Sequence, residues 1–140
     1  HINARWFKEI VNGRKTVEGR PCKGISSEIK PGDRIMFYTT NFPNGKLMAN
    51  NAEHCANFWD DDQYCFVEVV QVTQHDSFEE MILHHSLERV LPGIDTLEDG
   101  LKVYEQWYPK LLRTSAENTK KNQVLGIVVR LLSDSEVVGS

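Results

Sequence analysis

Apolar residues recur at helical spacing near the start of the chain. Residues 5–12 contain two apolar pairs spaced four residues apart, Trp6 with Ile10 and Phe7 with Val11. The next residue, Gly13, stands where a helix commonly ends, because glycine adopts the left-handed conformation without strain. The pattern therefore predicts a short first helix over residues 5–12.

Two further helices are predicted in the second half of the chain, each with an N-terminal capping signal. Ser77 is followed three residues later by Glu80, and Thr96 is followed three residues later by Asp99. The first signal predicts a helix across FEEMILHH, and a Pro-Gly pair at 92–93 predicts the turn that follows it. The second signal opens a segment that Pro109 should end. Its apolar stripe consists of Leu97, Leu101, Tyr104 and Tyr108.

Four segments have the pattern of β-strands: residues 15–20, 34–40, 64–74 and 123–132. The segment 34–40 alternates in side-chain direction after a Pro-Gly turn, and the segment 64–74 is rich in valine and aromatic residues. The segment 123–132 is an almost continuous apolar run, which is typical of a buried strand. Strands and helices together predict an α+β domain.

A long polar stretch, residues 41–63, interrupts this pattern. Loops of this length inside a compact domain are commonly functional or poorly ordered. The sequence leaves two interpretations open: a solvated insertion, or a lid over a pocket that could also contact a protein partner. A second polar loop is predicted over residues 113–122.

Length and composition fit an ordinary globular protein. The chain has 140 residues, of which 40% are hydrophobic and 26% charged, so we expect a single domain over residues 1–132 and a tail over 133–140. No apolar run approaches the roughly 20 residues that span a bilayer. An odd, sparse set of three cysteines favours a reducing, intracellular location, in the cytoplasm or the nucleus.

Charge and ligand spacing narrow the possible partners. The cysteines and histidines lack the spacing of a zinc site, so we expect no metal and no cofactor. The net charge of −4 argues against strong non-specific binding to nucleic acid, which needs clustered lysine and arginine. It does not exclude recognition of one nucleotide in a pocket, because a pocket needs only one or two local positive charges.

Residues 12–20 read NGRKTVEGR and contain the pattern Gly13-x-Lys15-x-x-Glu18-x-Arg20. This pattern resembles the G-x-K-x-x-E-x-R signature of the ASCH domain, a PUA-like fold. Further stretches resemble the same family in the same order, and together they cover about residues 1–132 without the insertion. They are KPGDRI at 30–35, SFEEM at 77–81, LPG at 91–93, EDG at 98–100 with Tyr104, and VLGI at 124–127.

The resemblance implies a fold and a class of ligand. The fold would be a small, mostly antiparallel, PUA-like β-barrel of five or six strands with two or three flanking helices. The ligand would be RNA or a nucleotide, held in a pocket built around the motif. The implied role lies in RNA metabolism or in the regulation of transcription or translation.

The charged residues of the motif are the main candidates for ligand binding. On a strand, Thr16, Glu18 and Arg20 share one face, while Lys15 leaves the preceding turn and can bend toward either face. Their spacing fits a salt-bridged strand end that only orients the sheet, and it also fits a polar site for a base edge and a phosphate. The resemblance favours the second interpretation.

Aromatic residues supply further candidates for the same pocket. Tyr38 and Tyr104 are candidates for stacking on a base, and their alternative is a core position with a hydrogen-bonded hydroxyl. Arg5 and Trp6, which open the first predicted helix, are candidates for the flank of the pocket.

A hydrolase that acts on a modified nucleoside or on RNA is the alternative function. A branch of the ASCH family that hydrolyses N4-acetylcytidine has a K-T-x-T motif, in which lysine activates the second threonine. Lys15 and Thr16 match this motif, but Glu18 stands at the nucleophile position, so little activity of that kind is expected. The candidate catalytic pair is then Glu18 as general base on water and Lys15 as oxyanion donor. The sequence further predicts that Glu18 raises the pKa of Lys15.

Overall fold

The computed structural model describes residues 1–39, 64–114 and 121–138. The insertion predicted over 41–63, with its two interpretations, and most of the loop predicted over 113–122 lie outside the described residues. None of the helices in the three described ranges has the length and apolarity needed to cross a membrane.

Four antiparallel strands in the described ranges form one curled sheet, shaped like half of a barrel. They are β1 (Val17–Pro21), β2 (Arg34–Tyr38), β3 (Tyr64–His75) and β4 (Val124–Leu131), and their order is β1-β4-β3-β2. The strand β4 lies between two neighbouring strands, its first four residues are buried, and Ile127 pairs with Glu18 of β1 and Val72 of β3. A bulge between Val69 and Gln71 interrupts the pairing of β3, and bulges of this kind bend a strand.

The first helix, α1 (Ala4–Val11), begins at Asn3, whose side chain accepts a hydrogen bond from the backbone N–H of Arg5. Its apolar face contributes Trp6, Phe7 and Ile10 to the core. The chain leaves the helix through Gly13, which has φ of +84°. The prediction of a first helix ended by this glycine is confirmed.

The other helices are α2 (Phe78–His85), α3 (Leu87–Val90), α4 (Leu97–Glu105) and α5 (Asp134–Val138), with a 3-10 helix at Gly24–Glu28. The predicted caps of α2 and α4 are confirmed, since the hydroxyls of Ser77 and Thr96 accept from the backbone N–H groups three residues later. The carboxylate of Glu80 accepts from the backbone of Asp76, one residue before the cap. The short helices α3 and α5 and the 3-10 helix were not predicted, because segments of five residues or fewer show no periodicity.

The end of α4 differs from the prediction. The helix ends at Glu105 and does not continue to Pro109. The chain turns after Glu105, and the carbonyls of residues 111 and 112 accept hydrogen bonds from the backbone N–H groups of Phe78 and Glu79. These bonds satisfy donors at the start of α2 that would otherwise lack a partner.

Helices α2 and α4 pack against β1 at Gly19. A Cβ atom at this position would lie 2.6 Å from the end of the Met81 side chain and 2.9 Å from the Tyr104 hydroxyl. Both distances are shorter than a van der Waals contact, so only glycine allows this close approach. The packing brings the end of α4 beside the residues of the motif.

The prediction of an α+β fold with an antiparallel sheet is confirmed in these general terms. The described residues contribute four strands where five or six were predicted, and the sheet is open. Closure into a full barrel by further strands stays a prediction, since residues 40–63 and 115–120 lie outside the described ranges.

Candidate functional site

A cavity of about 420 Å³ lies where β1, the start of α1 and the end of α4 meet. Its volume falls in the range of about 300–1,000 Å³ that is usual for small-molecule sites. Charged side chains from residues 15–20 form one part of the lining, and aromatic side chains from α1, α4 and the turn after α4 form another.

Lys15, Glu18 and Arg20 form the charged cluster of the cavity. Glu18 lies between two cations: its Oε1 is 3.5 Å from Nζ of Lys15, and its Oε2 accepts hydrogen bonds from Nε and Nη2 of Arg20 at 3.2 and 2.9 Å. Lys15 and Glu18 are buried, whereas the Arg20 side chain is 29% exposed. With Lys15 protonated, two cations and one anion give the cluster a net charge of +1, which favours a ligand that carries acceptors or a negative charge.

All three protons of the Lys15 ammonium have acceptors within the protein. Nζ donates to the carbonyl of Val17 at 2.7 Å and to the carbonyl of Val90, and it faces Glu18 on its third side. Burial lowers the pKa of Lys15, and the Glu18 carboxylate offsets part of that effect. The prediction of a raised pKa for Lys15 is therefore wrong, because the lost hydration of the ammonium outweighs its attraction to one carboxylate.

Arg20 retains donors that no described residue uses. Its Nη2 also donates to the carbonyl of His1 at 3.0 Å, but Nη1 has no hydrogen-bond partner among the described residues. The charge of Glu18 raises the pKa of Arg20, so the guanidinium stays charged. Two N–H groups of a charged, partly exposed side chain are thus available to a ligand.

The hydroxyl of Tyr104 is a second unused polar group. The residue is 6% exposed, and its hydroxyl has no hydrogen-bond partner within the described part of the chain. Burial raises the pKa of Tyr104 well above its usual value, so the hydroxyl keeps its proton. A buried hydroxyl without a partner costs about 1–3 kcal/mol and is uncommon in native proteins.

Aromatic rings form the apolar walls next to these groups. Phe78 stacks on Tyr104 and on Tyr108, with ring centroids 4.1 and 5.4 Å apart. Trp6, Trp107 and Tyr108 line the cavity itself. A planar ligand with a polar edge suits such a combination of flat apolar walls and a few directed donors and acceptors.

Four of the six residues proposed from the sequence as ligand-binding line this one cavity: Lys15, Glu18, Arg20 and Tyr104. Their roles toward a ligand stay predictions. The cavity also includes Trp6, which was a candidate for its flank.

Thr16 and Tyr38 lie outside the cavity lining. Thr16 precedes β1, and its hydroxyl accepts a hydrogen bond from Nε of Arg89 at 3.2 Å. The alternation expected from Thr16 to Arg20 fails because the strand begins only at Val17. Tyr38 lies on β2 and makes an edge-to-face contact with the ring of His1 at 5.5 Å.

Sequence reasoning missed Trp107 and assigned Tyr108 only to an apolar helix stripe. Trp107 lies three residues and Tyr108 four residues after Tyr104, and this spacing places all three residues near one side of a helical turn. The aromatic content of this segment, just after a helix and before Pro109, was the available signal.

The described ranges contain no group of three or more His, Cys, Asp or Glu side chains arranged to hold a metal ion. The cavity offers instead two kinds of donor, the Tyr104 hydroxyl and Nη1 of Arg20. The remaining lone pairs of the Glu18 carboxylate can accept. These groups can bind a flat, polar, neutral or anionic ligand through hydrogen bonds.

Comparisons with known proteins agree with this architecture. Two solved structures with similar folds are the archaeal hypothetical protein PH0355, at 30% sequence identity and a TM-score of 0.61, and protein PF0455 from Pyrococcus furiosus, at 29% identity and a TM-score of 0.56. The first alignment covers 91% of this chain and 92% of the other, and the second covers 92% and 91%. No match was found among curated proteins. The model of the ASCH domain matches residues 1–128, so the chain belongs to the ASCH domain family.

Proposed function

We propose that the cavity binds one nucleotide or nucleoside unit of an RNA, and that the protein acts in RNA metabolism or in the regulation of transcription or translation. The observation that carries the proposal is that Tyr104, whose buried hydroxyl has no hydrogen-bond partner among the described residues, lines the same cavity as the Glu18–Arg20 ion pair. A free protein gains nothing from such a hydroxyl, whereas a bound base edge would satisfy it. Membership in the ASCH family suggests RNA as the general class of ligand.

In the proposed binding mode, aromatic rings and polar side chains contact different parts of the ligand. The base lies against the aromatic walls, since every base presents a π-face. The Tyr104 hydroxyl and the free lone pairs of Glu18 then meet the hydrogen-bonding edge of the base. Nη1 of Arg20 donates to a base carbonyl or to a phosphate oxygen, as guanidinium groups commonly do.

In this scheme Lys15 is a positioning residue. Its three donors are used by two backbone carbonyls and Glu18, so none is left for a ligand. Lys15 holds the Glu18 carboxylate from one side while Arg20 holds it from the other.

Titration with the four nucleoside 5′-monophosphates tests the proposal. Binding should change the intrinsic tryptophan fluorescence, because Trp6 and Trp107 line the cavity. Arg20→Lys keeps the charge but loses the planar fork, so we expect affinity to fall by about tenfold. Arg130→Lys is the matched control, since Arg130 also pairs with carboxylates, those of Glu68 and Glu136.

The control variant should bind like the parent protein. Equal losses in both variants, or no binding of either the monophosphates or a short RNA at millimolar concentration, would contradict the proposal.

Hydrolysis of a modified nucleoside or of RNA is the second candidate function, and the lowered pKa of Lys15 favours it. A lysine whose pKa is lowered releases its proton more readily, which suits a role in proton transfer. Two contacts weigh against this role: Lys15 has no free donor for an oxyanion, and cations neutralise both oxygens of Glu18.

Incubation with N4-acetylcytidine, followed by chromatography of released cytidine, tests the hydrolase. We expect little or no turnover, since no alcohol or thiol nucleophile lines the described cavity. Turnover that disappears in Glu18→Gln would favour the hydrolase over the binding role.

A further inference from the structure

One wall of the cavity opens to solvent at Trp107. Its indole lines the cavity and yet is 56% exposed. The residue follows α4, where its backbone N–H donates to the carbonyl of Tyr104 at 3.1 Å, so the main chain is held to the end of the helix at this point. A large, flat, half-exposed ring next to a cavity provides a surface for stacking outside it.

Arg5 adds an uncompensated positive charge near the same cavity. Its guanidinium lies over the ring of Trp6, 4.6 Å from the centroid, and Trp6 lines the cavity. Among the arginines of the described residues, Arg5 alone has no hydrogen bond or ion pair through its side chain. Arg14, for comparison, pairs with Glu9 at 2.8 Å. An exposed cation without a carboxylate partner is suited to a phosphate.

We propose that the ligand is a single-stranded RNA segment rather than a free nucleotide. One base would enter the cavity, a neighbouring base would stack on the exposed face of Trp107, and Arg5 would contact a phosphate. This inference rests on the proposed function and extends it, because a free nucleoside would fill the cavity and leave the solvent-exposed face of Trp107 and the guanidinium of Arg5 without a role.

Comparison of ligand lengths tests the inference. The probes are the four nucleoside 5′-monophosphates and mixed-sequence RNA trinucleotides, titrated under the same conditions. Stacking of one added base should make the trinucleotides bind about 5- to 150-fold more tightly than the monophosphates. In Trp107→Ala the ratio of the two affinities should fall to about one, and Trp107→Phe should retain part of it.

Leu83→Ala is the control for loss of an exposed apolar side chain. Leu83 is exposed on α2 and does not line the cavity, so both affinities should stay as in the parent protein. Arg5→Gln should make trinucleotide binding less sensitive to salt by about one phosphate contact, a slope change of roughly 0.7 in log affinity against log salt concentration.

The outcomes separate this inference from the proposed function. Monophosphate binding with no gain for trinucleotides, or a gain that persists in Trp107→Ala, would overturn the inference and leave the nucleotide site standing. Absence of binding for both probes would overturn the proposed function itself. Retained thermal stability of the Trp107 variants would show that the protein is folded in each comparison.

Discussion

Replacement of Tyr104 by phenylalanine separates binding from folding at this site. The change removes one oxygen atom and keeps the ring that stacks on Phe78 at a centroid distance of 4.1 Å. In the free protein that oxygen is buried and has no hydrogen-bond partner among the described residues. Its removal should therefore relieve a cost and break no bond.

The expected changes in stability and in affinity follow from the state of the Tyr104 hydroxyl in the free protein and in the ligand complex. Burial without a partner costs about 1–3 kcal/mol relative to water, so the free energy of unfolding of Tyr104→Phe should stay equal to that of the parent protein or rise by about 1 kcal/mol. A hydrogen bond to a ligand contributes about 0.5–1.5 kcal/mol, so nucleotide affinity should fall by about 2- to 13-fold. A gain or no change in stability together with weaker binding is the expected signature.

Urea denaturation measures the first quantity and fluorescence titration the second. Tyr104→Ala is the companion variant, because it also removes the ring and should cost about 3–5 kcal/mol through the cavity it leaves. A loss of more than about 1 kcal/mol in Tyr104→Phe would refute the reasoning, since it would mean that the hydroxyl already has a partner in the free protein.

Three further predictions concern the charged cluster, the central strand and pH. Lys15→Ala leaves Glu18 with one cation and two carbonyls without a donor, so the free energy of unfolding measured in urea should fall by about 3 kcal/mol. Ile127→Asp puts an unpaired charge in the middle of β4 and should also cost several kcal/mol in the same assay; unchanged stability would show that this position is not buried. Burial lowers the pKa of His85 to about 4, so the folded state binds fewer protons than the unfolded state, and stability should fall as the pH drops from about 6.5 toward 4. In His85→Gln, in which an amide can still form a hydrogen bond with the Thr73 hydroxyl, the urea midpoint should depend less on pH over this interval.

The elements that the sequence predicted well are those with a local signal. The caps at Ser77 and Thr96 and the glycine after α1 were identified because each depends on residues a few positions apart. The helix over residues 97–108 was extended too far, because its apolar stripe continues past Glu105. The distant carbonyls of residues 111 and 112 hold the following turn against α2, and such contacts have no local signature.

The candidate site also contains features with a local sequence signal and features that depend on distant contacts. The spacing of the motif residues predicted that Glu18 and Arg20 share one face of a strand. It could not predict which of Lys15 and Thr16 lines the cavity, because that depends on the residue at which β1 begins. The carbonyl of Val90, distant in sequence, accepts from Lys15 and draws its side chain inward, while Arg89 next to it engages Thr16. Trp107 lies in the turn after α4, and this turn makes it part of the cavity lining. The sequence pattern had predicted that these residues belong to the helix.

The number of acceptors around Lys15 also bears on why this chain should bind rather than hydrolyse. A catalytic lysine must exchange a proton or offer a donor during the reaction, and either step here would break a contact with Val17, Val90 or Glu18. Removal of one proton would leave a buried acceptor unpaired, which costs free energy and opposes the step. Burial alone would favour the neutral amine, yet the two carbonyls and the carboxylate favour the ammonium. Lys15 is therefore better suited to a fixed cation that orients Glu18 than to a proton carrier, and Glu18, Arg20 and Tyr104 are the residues that we propose to contact a ligand.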